Sequence, residues 1–413
     1  MTSHSSSGPR QRKATLGPVR AGAIGLAAIL VAVLGALPAV TAAPRTPSVD
    51  TEVLERLPAR ATESRTRELA VLRAAWRREP SKLDSALPLA RRCLDEFLLD
   101  GDPRRLGCAQ AALAPWWREP DAPQPARLLR AIVLQFSHRF DAALADLDAV
   151  LRTDATEHEA WSWRVAILMV QARYTEAREA CARFAPLTTP LSGIGCKAQV
   201  DAATGASGEA VTALREALRR EAAVSPAERV WVLTRLAETE ERRGDGAAAE
   251  AAYREAIALD ARDVYLQAAY ADFLLDQGRA AEVKTQLAGR ERVEVLLLRL
   301  ALAAKQLRDS QAPALARELA TRFAAARRLG DALHEKEEAR FVLVLQGDAA
   351  RALALARANF AVQREPADAR VLLEAALAAR DKAAAEPALR WLADSRIEAP
   401  RLRDLAARIK ELP

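Results

Sequence analysis

The sequence predicts an all-α fold, and three observations predict it. Half of the 413 residues are apolar, yet aromatics make up only 5%. Ala, Leu, Arg and Glu dominate, and all four are strong helix formers. From Val49 onward, apolar residues recur at helical spacing between short polar or Gly/Pro turns, and no segment alternates convincingly enough to be a strand.

Residues 1–43 read as an export segment. Arg10, Arg12, Lys13 and Arg20 form a basic, acid-free start, and the run from Ala21 to Val40 carries no charge. Pro38 and the small residues Thr41, Ala42 and Ala43 supply a cleavage site, so a signal peptide is expected. The run is also nearly long enough to span a bilayer, which leaves an uncleaved N-terminal membrane anchor open. Either way the body is expected outside the cytoplasm, periplasmic or extracytoplasmic, with membrane contact only through this segment. No Cys follows the run until Cys93, so no lipid-attachment site is expected.

The basic excess belongs to that segment. The chain carries a net charge of +6, but without those four residues 57 basic face 55 acidic, a balance of +2. A nucleic-acid partner, which needs a basic stripe, is therefore not expected.

The body divides into residues 44–123, a set of N-terminal helices with a degenerate repeat turning at Gly101-Asp102; 124–290, a run of clear repeats; and 291–413, degenerate C-terminal helical repeats turning at Gly347-Asp348. The segment Phe140–Leu151 shows the local pattern, with Ala143, Leu144, Leu147, Val150 and Leu151 on one helix face. Thr156 with Glu159, and Ser225 with Glu228, have the spacing of capping boxes, and Pro226 suits a first helical position. About 16 to 18 helices of ordinary length are expected.

The repeats come from self-alignment. Gly244-Asp245 and Gly278-Arg279 lie 34 residues apart, and around them Leu236 aligns with Tyr270, Ala237 with Ala271 and Glu240 with Leu274. His138-Arg139-Phe140 and Ala172-Arg173-Tyr174 repeat the offset. Unit starts fall at 124, 158, 191, 230 and 264, the longer third unit reflecting an insertion near Arg220–Ser225. One helical hairpin cannot bury its apolar face alone, so such units stack.

These residues resemble the tetratricopeptide repeat (TPR) family. The unit 230–263 carries Leu236-Ala237, Gly244-Asp245, Ala249, Tyr253 and Ala256 where that family has its signature residues, and departs from it where Ala261 replaces Pro. Trp161, Tyr174 and Ala177 match in the unit from 158, and Ala131, Phe140 and Ala143 in the unit from 124. The resemblance implies an α-solenoid, a right-handed superhelix of antiparallel helix pairs. It also implies a concave groove lined by Trp231, Thr234, Glu238, Glu241 and Arg242 in one unit. The next unit would add Tyr265, Asp272, Leu275 and Asp276, and the unit from 158 would add Glu159, Ser162, Met169 and Val170. Such a groove is acidic with aromatic anchors, suited to a peptide with basic and apolar side chains. Trp231 and Tyr265 equally suit packing between helices. Thr234 and Glu238 stand where some family members hold the Lys and Asn that grip a terminal carboxylate.

Four cysteines fall in two pairs, Cys93 with Cys108 and Cys181 with Cys196, each 15 residues apart and symmetric about a turn. Two such positions on antiparallel helices lie at the same height, as a disulfide requires, and export favours oxidation. Four small buried thiols are the other reading. No metal site is expected: His4, His138, His158 and His334 form no H-x-x-x-H, and no C-x-x-C occurs. His138 reads as a solvated turn residue, and Trp116-Trp117 as a core plug before the Pro-rich 119–125 link. There is no P-loop, dinucleotide fingerprint or nucleophile elbow, so no catalytic or cofactor-binding residue and no cofactor is expected.

The expected function is that of an exported TPR-like scaffold or adaptor binding a protein or peptide partner in its groove, without catalysis. The alternatives are a helical-solenoid enzyme with a carboxylate-based site, and a structural or oligomerising envelope protein whose groove is filled by its own terminus.

Overall fold

The computed structural model describes residues 64–221, 223–328 and 335–413. The export segment, His4 and His334 lie outside them. Among the described residues there are twenty α-helices and no strand, and no helix is long and apolar enough to cross a membrane.

The helices are α1 (Ser64–Arg78), α2 (Leu83–Asp100), α3 (Pro103–Ala112), α4 (Gln124–Phe136), α5 (Phe140–Thr153), α6 (His158–Val170) and α7 (Tyr174–Phe184). They continue as α8 (Pro190–Ala203), α9 (Ser207–Arg220), α10 (Pro226–Arg243), α11 (Gly246–Leu259), α12 (Val264–Asp276), α13 (Ala280–Gln286) and α14 (Glu294–Gln306). The last six are α15 (Ala312–Arg328), α16 (Glu335–Phe341), α17 (Ala349–Val362), α18 (Pro366–Ala379), α19 (Glu386–Ser395) and α20 (Pro400–Lys410). The count exceeds the sequence expectation. Two of the carboxy-terminal elements, α13 and α16, are only seven residues long, and their apolar pattern is too short to register as a period.

Neighbouring helices pack as antiparallel pairs: α2 with α3, α4 with α5, α6 with α7, α8 with α9, α10 with α11, α14 with α15 and α17 with α18. One turn geometry recurs between consecutive helices at seven places among the described residues. One residue takes a left-handed conformation, and the next donates its N–H to the carbonyl five residues back. The left-handed position is His138, Ala172, Gly205, Gly244, Gly278, Arg308 and Arg380 in turn. The returning bonds include Arg139 N to Leu134 O (2.9 Å), Arg173 N to Leu168 O (2.8 Å), Asp245 N to Glu240 O (3.0 Å) and Arg279 N to Leu274 O (2.8 Å). Gly is the low-strain choice there, yet His138 and Ala172 hold the same shape because the bond and the packing over-determine it.

Small residues set the helix separation. Ala131, Ala143, Ala177, Ala237, Ala249 and Ala271 are all buried, and a larger side chain there would prise the pair apart. Caps fix the helix starts. Ser225 accepts from Glu228 N (3.2 Å), as its spacing predicts. Thr156 does not cap: the preceding turn is held by Asp154, and Glu157 caps α6 by accepting from Glu159 N at 3.2 Å. Both reflect competition between nearby acceptors for the same free N–H groups.

The interior forms three apolar clusters. One runs over Leu69–Val133, a second over Leu128–Ala203, and the largest over Leu191–Ile409. Trp116 and Trp117 pack partly buried against the first, as a plug at the end of α3 should. Cys93 and Cys108 are disulfide-bonded with Cα atoms 5.9 Å apart, joining α2 to α3. Cys181 and Cys196 are disulfide-bonded with Cα atoms 5.7 Å apart, joining α7 to α8.

The stack does not run on as an open rod. Its carboxy-terminal part returns to the turns of earlier pairs. Arg364 N donates to Val170 O (2.7 Å), and Gln363 Nε2 lies 2.7 Å from His138 Nε2. Trp391 Nε1 donates to the Tyr174 hydroxyl (3.1 Å), and Ser207 donates to the Glu398 carboxylate. A Cβ added at Gly205 would meet Arg396 O at 3.0 Å. Helix α2 also touches α12. His138 is thus a turn residue but not a merely solvated one: its ring stacks on Phe140, with centroids 5.6 Å apart, and faces Gln363.

Candidate interaction surface

The residues expected to line a groove sit on the first helices α6, α10 and α12. Helix period brings positions of α10 and α12 that are three or four residues apart onto one face. The structure divides them into two groups.

The first group is open. Tyr265 is 52% exposed and Ile194 36% exposed, while Trp231 is half-buried over Gly195. A Cβ on Gly195 would fall 2.5 Å from Trp231 Cζ3, so glycine makes the seat for the indole. The Arg235 guanidinium lies 4.8 Å from the Tyr265 ring centroid, the Tyr265 hydroxyl donates to Glu238, and Arg235 pairs with Glu238. Ile194 carries no signal in the sequence beyond being one apolar residue among many.

The second group is occupied by the chain itself. Asp272 is held by Arg299 and Arg340, each at 2.6 Å, from α14 and α16. Burial works to raise its pKa, but the two guanidinium groups prevail and hold it well below the usual carboxylate range. Asp276 is gripped by Arg370 through both oxygens (2.6 and 2.8 Å) and by Arg401 at 2.5 Å. Leu275 is buried. Thr234 is buried with its hydroxyl donating to Val230 O (2.7 Å), which satisfies it within its own helix. Arg242 donates to the Thr239 hydroxyl at 3.2 Å. In α6, Glu159 pairs bidentately with Arg91 (2.6 and 2.7 Å), Met169 is buried, and Val170 offers its carbonyl to Arg364. The arginines that saturate Asp272 and Asp276 come from helices up to 125 residues downstream, so no local pattern announces them.

Between these groups lies Glu241. It accepts the Tyr253 hydroxyl at 2.9 Å, and burial, reinforced by Asp276, Glu238 and Asp272, pushes its carboxyl up to about 7. Deeper along the face, burial and Asp368 raise Glu365, against the pull of Lys336 and Arg235. Among the described residues no group of His, Cys, Asp or Glu is arranged to hold a metal ion.

The pairs are helical hairpins of near-34-residue repeat with small residues at the crossing points and one recurrent turn. The architecture is TPR-like. No protein family profile and no curated protein sequence matches the chain. Among solved structures, the chain is similar to the APC/C hetero-tetramer Cut9-Hcn1 at 14% identity and a TM-score of 0.48, over 85% of this chain and 68% of that one. It is also similar to a tetratricopeptide repeat protein from Parabacteroides merdae at 14% identity and a TM-score of 0.34, over 69% and 98%. The P58(IPK) TPR domain is a third, at 15% identity and a TM-score of 0.21, over 81% and 96%.

Proposed function

We propose that this chain is an exported interaction scaffold that docks a protein or peptide on its first-helix face, at the open strip of Ile194, Trp231 and Tyr265, and that it performs no catalysis. The observation that carries the reading is the strip itself. Three successive first helices leave large apolar side chains accessible beside the carboxylates Glu228 and Glu238, while the rest of the face is filled by the chain's own arginines. Glu238 is neutralised by Arg235, whereas Glu228 accepts the neutral hydroxyls of Thr189 and Ser192; aromatic anchors beside that carboxylate suit a segment with apolar and basic side chains.

The enzyme alternative draws on Glu241, a carboxyl raised to about 7 beside Tyr253. Such a group serves acid–base chemistry when a substrate can reach it. Here it is half-buried and accepts the Tyr253 hydroxyl. The cleft of about 350 Å³ lined by Trp161, Arg164 and Glu179 lies elsewhere, among α5, α6 and α7.

The test uses two arrays of short peptides, one Lys/Arg- and Leu/Phe-rich and one with acids replacing the bases, probed with wild type and Trp231→Ala/Tyr265→Ala. Preference for the basic set, lost in the double variant, supports the reading. Equal signals from both proteins on both sets contradict it. Export through residues 1–43 is tested separately by fractionating a bacterial host expressing the full chain; recovery only from the cytoplasm contradicts it.

A further inference from the structure

The three apolar clusters do not meet everywhere that the chain touches itself. Helix α8 gives Leu191, Ala198 and Ala202 to the carboxy-terminal cluster, and Cys196, Val200 and Ala203 to the middle one. It is therefore the element the two bodies share. On the opposite side, where residues 363–391 come back to the turns of α4–α5 and α6–α7, the contact is made by polar atoms. Gln363 faces His138, Arg364 N bonds Val170 O, and Trp391 Nε1 bonds Tyr174 Oη. Ala172 adds one small apolar contact to the carboxy-terminal cluster.

Polar contacts of this kind exchange readily for water, because each protein hydrogen bond replaces one to solvent. Apolar packing has no such substitute. A stack that is fused by packing at α8, and joined at the far side by these hydrogen bonds and by the contact of the Gly101 turn with Val264 and Val293, has a hinge and a clasp. The Cys181–Cys196 bridge ties α7 to α8 at the hinge, so opening would not shear that helix pair.

We infer that the seam between His138, Val170 and Tyr174 on one side and Gln363, Arg364 and Trp391 on the other is a reversible clasp. The stack opens along it by pivoting at α8. Closed, the carboxy-terminal helices cover part of the first-helix face; open, that face is accessible along a greater length. The consequence for a partner rests on the docking proposal above, whereas the opening itself does not.

The experiment compares full-length wild type, Tyr174→Phe/Gln363→Ala, and the control Tyr253→Phe, which loses a buried hydroxyl away from the seam. Amide hydrogen exchange at Arg364 and the radius of gyration from small-angle scattering are read for each. The clasp predicts exchange at Arg364 faster by about fivefold or more in the seam variant, a larger radius of gyration and unchanged helix content, with neither change in the control. A folded seam variant with unaltered exchange and radius overturns it. Should that variant fail to fold, wild type alone decides: exchange at Arg364 well ahead of the buried amides of α10 supports the clasp, and exchange in step with them overturns it. An opened variant that binds the basic peptides no better than wild type leaves the clasp standing and counts against the docking proposal.

Discussion

Trp391 donates its indole N–H to the hydroxyl of Tyr174, 3.1 Å away and 217 positions earlier in the chain. Burial pushes the Tyr174 phenol up to about 12, so it remains a neutral partner at any physiological pH. The bond matters because it joins helices that share no apolar cluster. The fold is thus a row of hairpins that its own last helices close.

Asp276 holds Arg370 and Arg401 against α12. Replacing it by Asn keeps the shape but takes the counter-charge from Arg401 and leaves Arg370 only its pair with Glu374. Breaking one side of a largely buried pair costs about 3–5 kcal/mol. Asp276→Asn is therefore expected to shift the urea midpoint strongly downward, whereas Glu386→Ala, which breaks an exposed pair with Arg390, is expected to leave it unmoved within about 0.5 kcal/mol.

Glu241 makes stability depend on pH with a definite sign. Its folded pKa of about 7 lies above the unfolded value of about 4.3. The folded state therefore binds the proton more tightly, and this group's contribution is present below about pH 4.3 and lost as pH rises through about 7. Glu241→Gln should remove that loss, making the variant more stable than wild type at pH 8 by on the order of 1–3 kcal/mol. Asp272 acts oppositely. Its depressed pKa contributes stability at neutral pH that disappears as pH falls below the ordinary carboxylate range. Chemical denaturation at a series of pH values separates the two.

The disulfides each close a loop with a sequence separation of 15. In the chain-entropy account, each contributes about 3 kcal/mol. Reduction should lower the melting temperature, with Cys181→Ala/Cys196→Ala and Cys93→Ala/Cys108→Ala each accounting for a share. Peptide mapping without reductant that recovers four free thiols from exported protein would contradict the pairing.

Gly195 and Gly205 report on the two faces of the account. Ala at 195 would collide with Trp231, so Gly195→Ala should displace that indole and change the tryptophan emission, with little loss of helix content. Ala at 205 meets both a left-handed backbone and the Arg396 carbonyl. A cost of about 1–3 kcal/mol is expected there.

Much of this was legible in the sequence because helices and hairpin turns are local. The 34-residue offset of Gly244 and Gly278 needs only one chain segment to be seen, as do Ala237 and Ala271 at the crossings. Even the left-handed turns at His138 and Ala172 were marked by their common offset, though neither residue is a usual turn former. The closure was not legible. Gln363 with His138, and Trp391 with Tyr174, are single contacts over 200 positions apart, and nothing periodic singles them out. The same holds for the face. Trp231 and Tyr265 follow from register, but the occupation of Asp272 and Asp276 depends on arginines delivered by α14, α16, α18 and α20. Arg299, Arg340, Arg370 and Arg401 are ordinary helix residues until the stack turns back.

The closure is tested most directly by a double-mutant cycle between Ser207 and Glu398, residues 191 positions apart. Unfolding free energies of wild type, Ser207→Ala, Glu398→Gln and the double variant give the coupling between them. Contact predicts a coupling on the order of 1–2 kcal/mol. Additive effects, within about 0.3–0.5 kcal/mol, would mean that the last helices do not return to the turn at Gly205, and would contradict the closed stack.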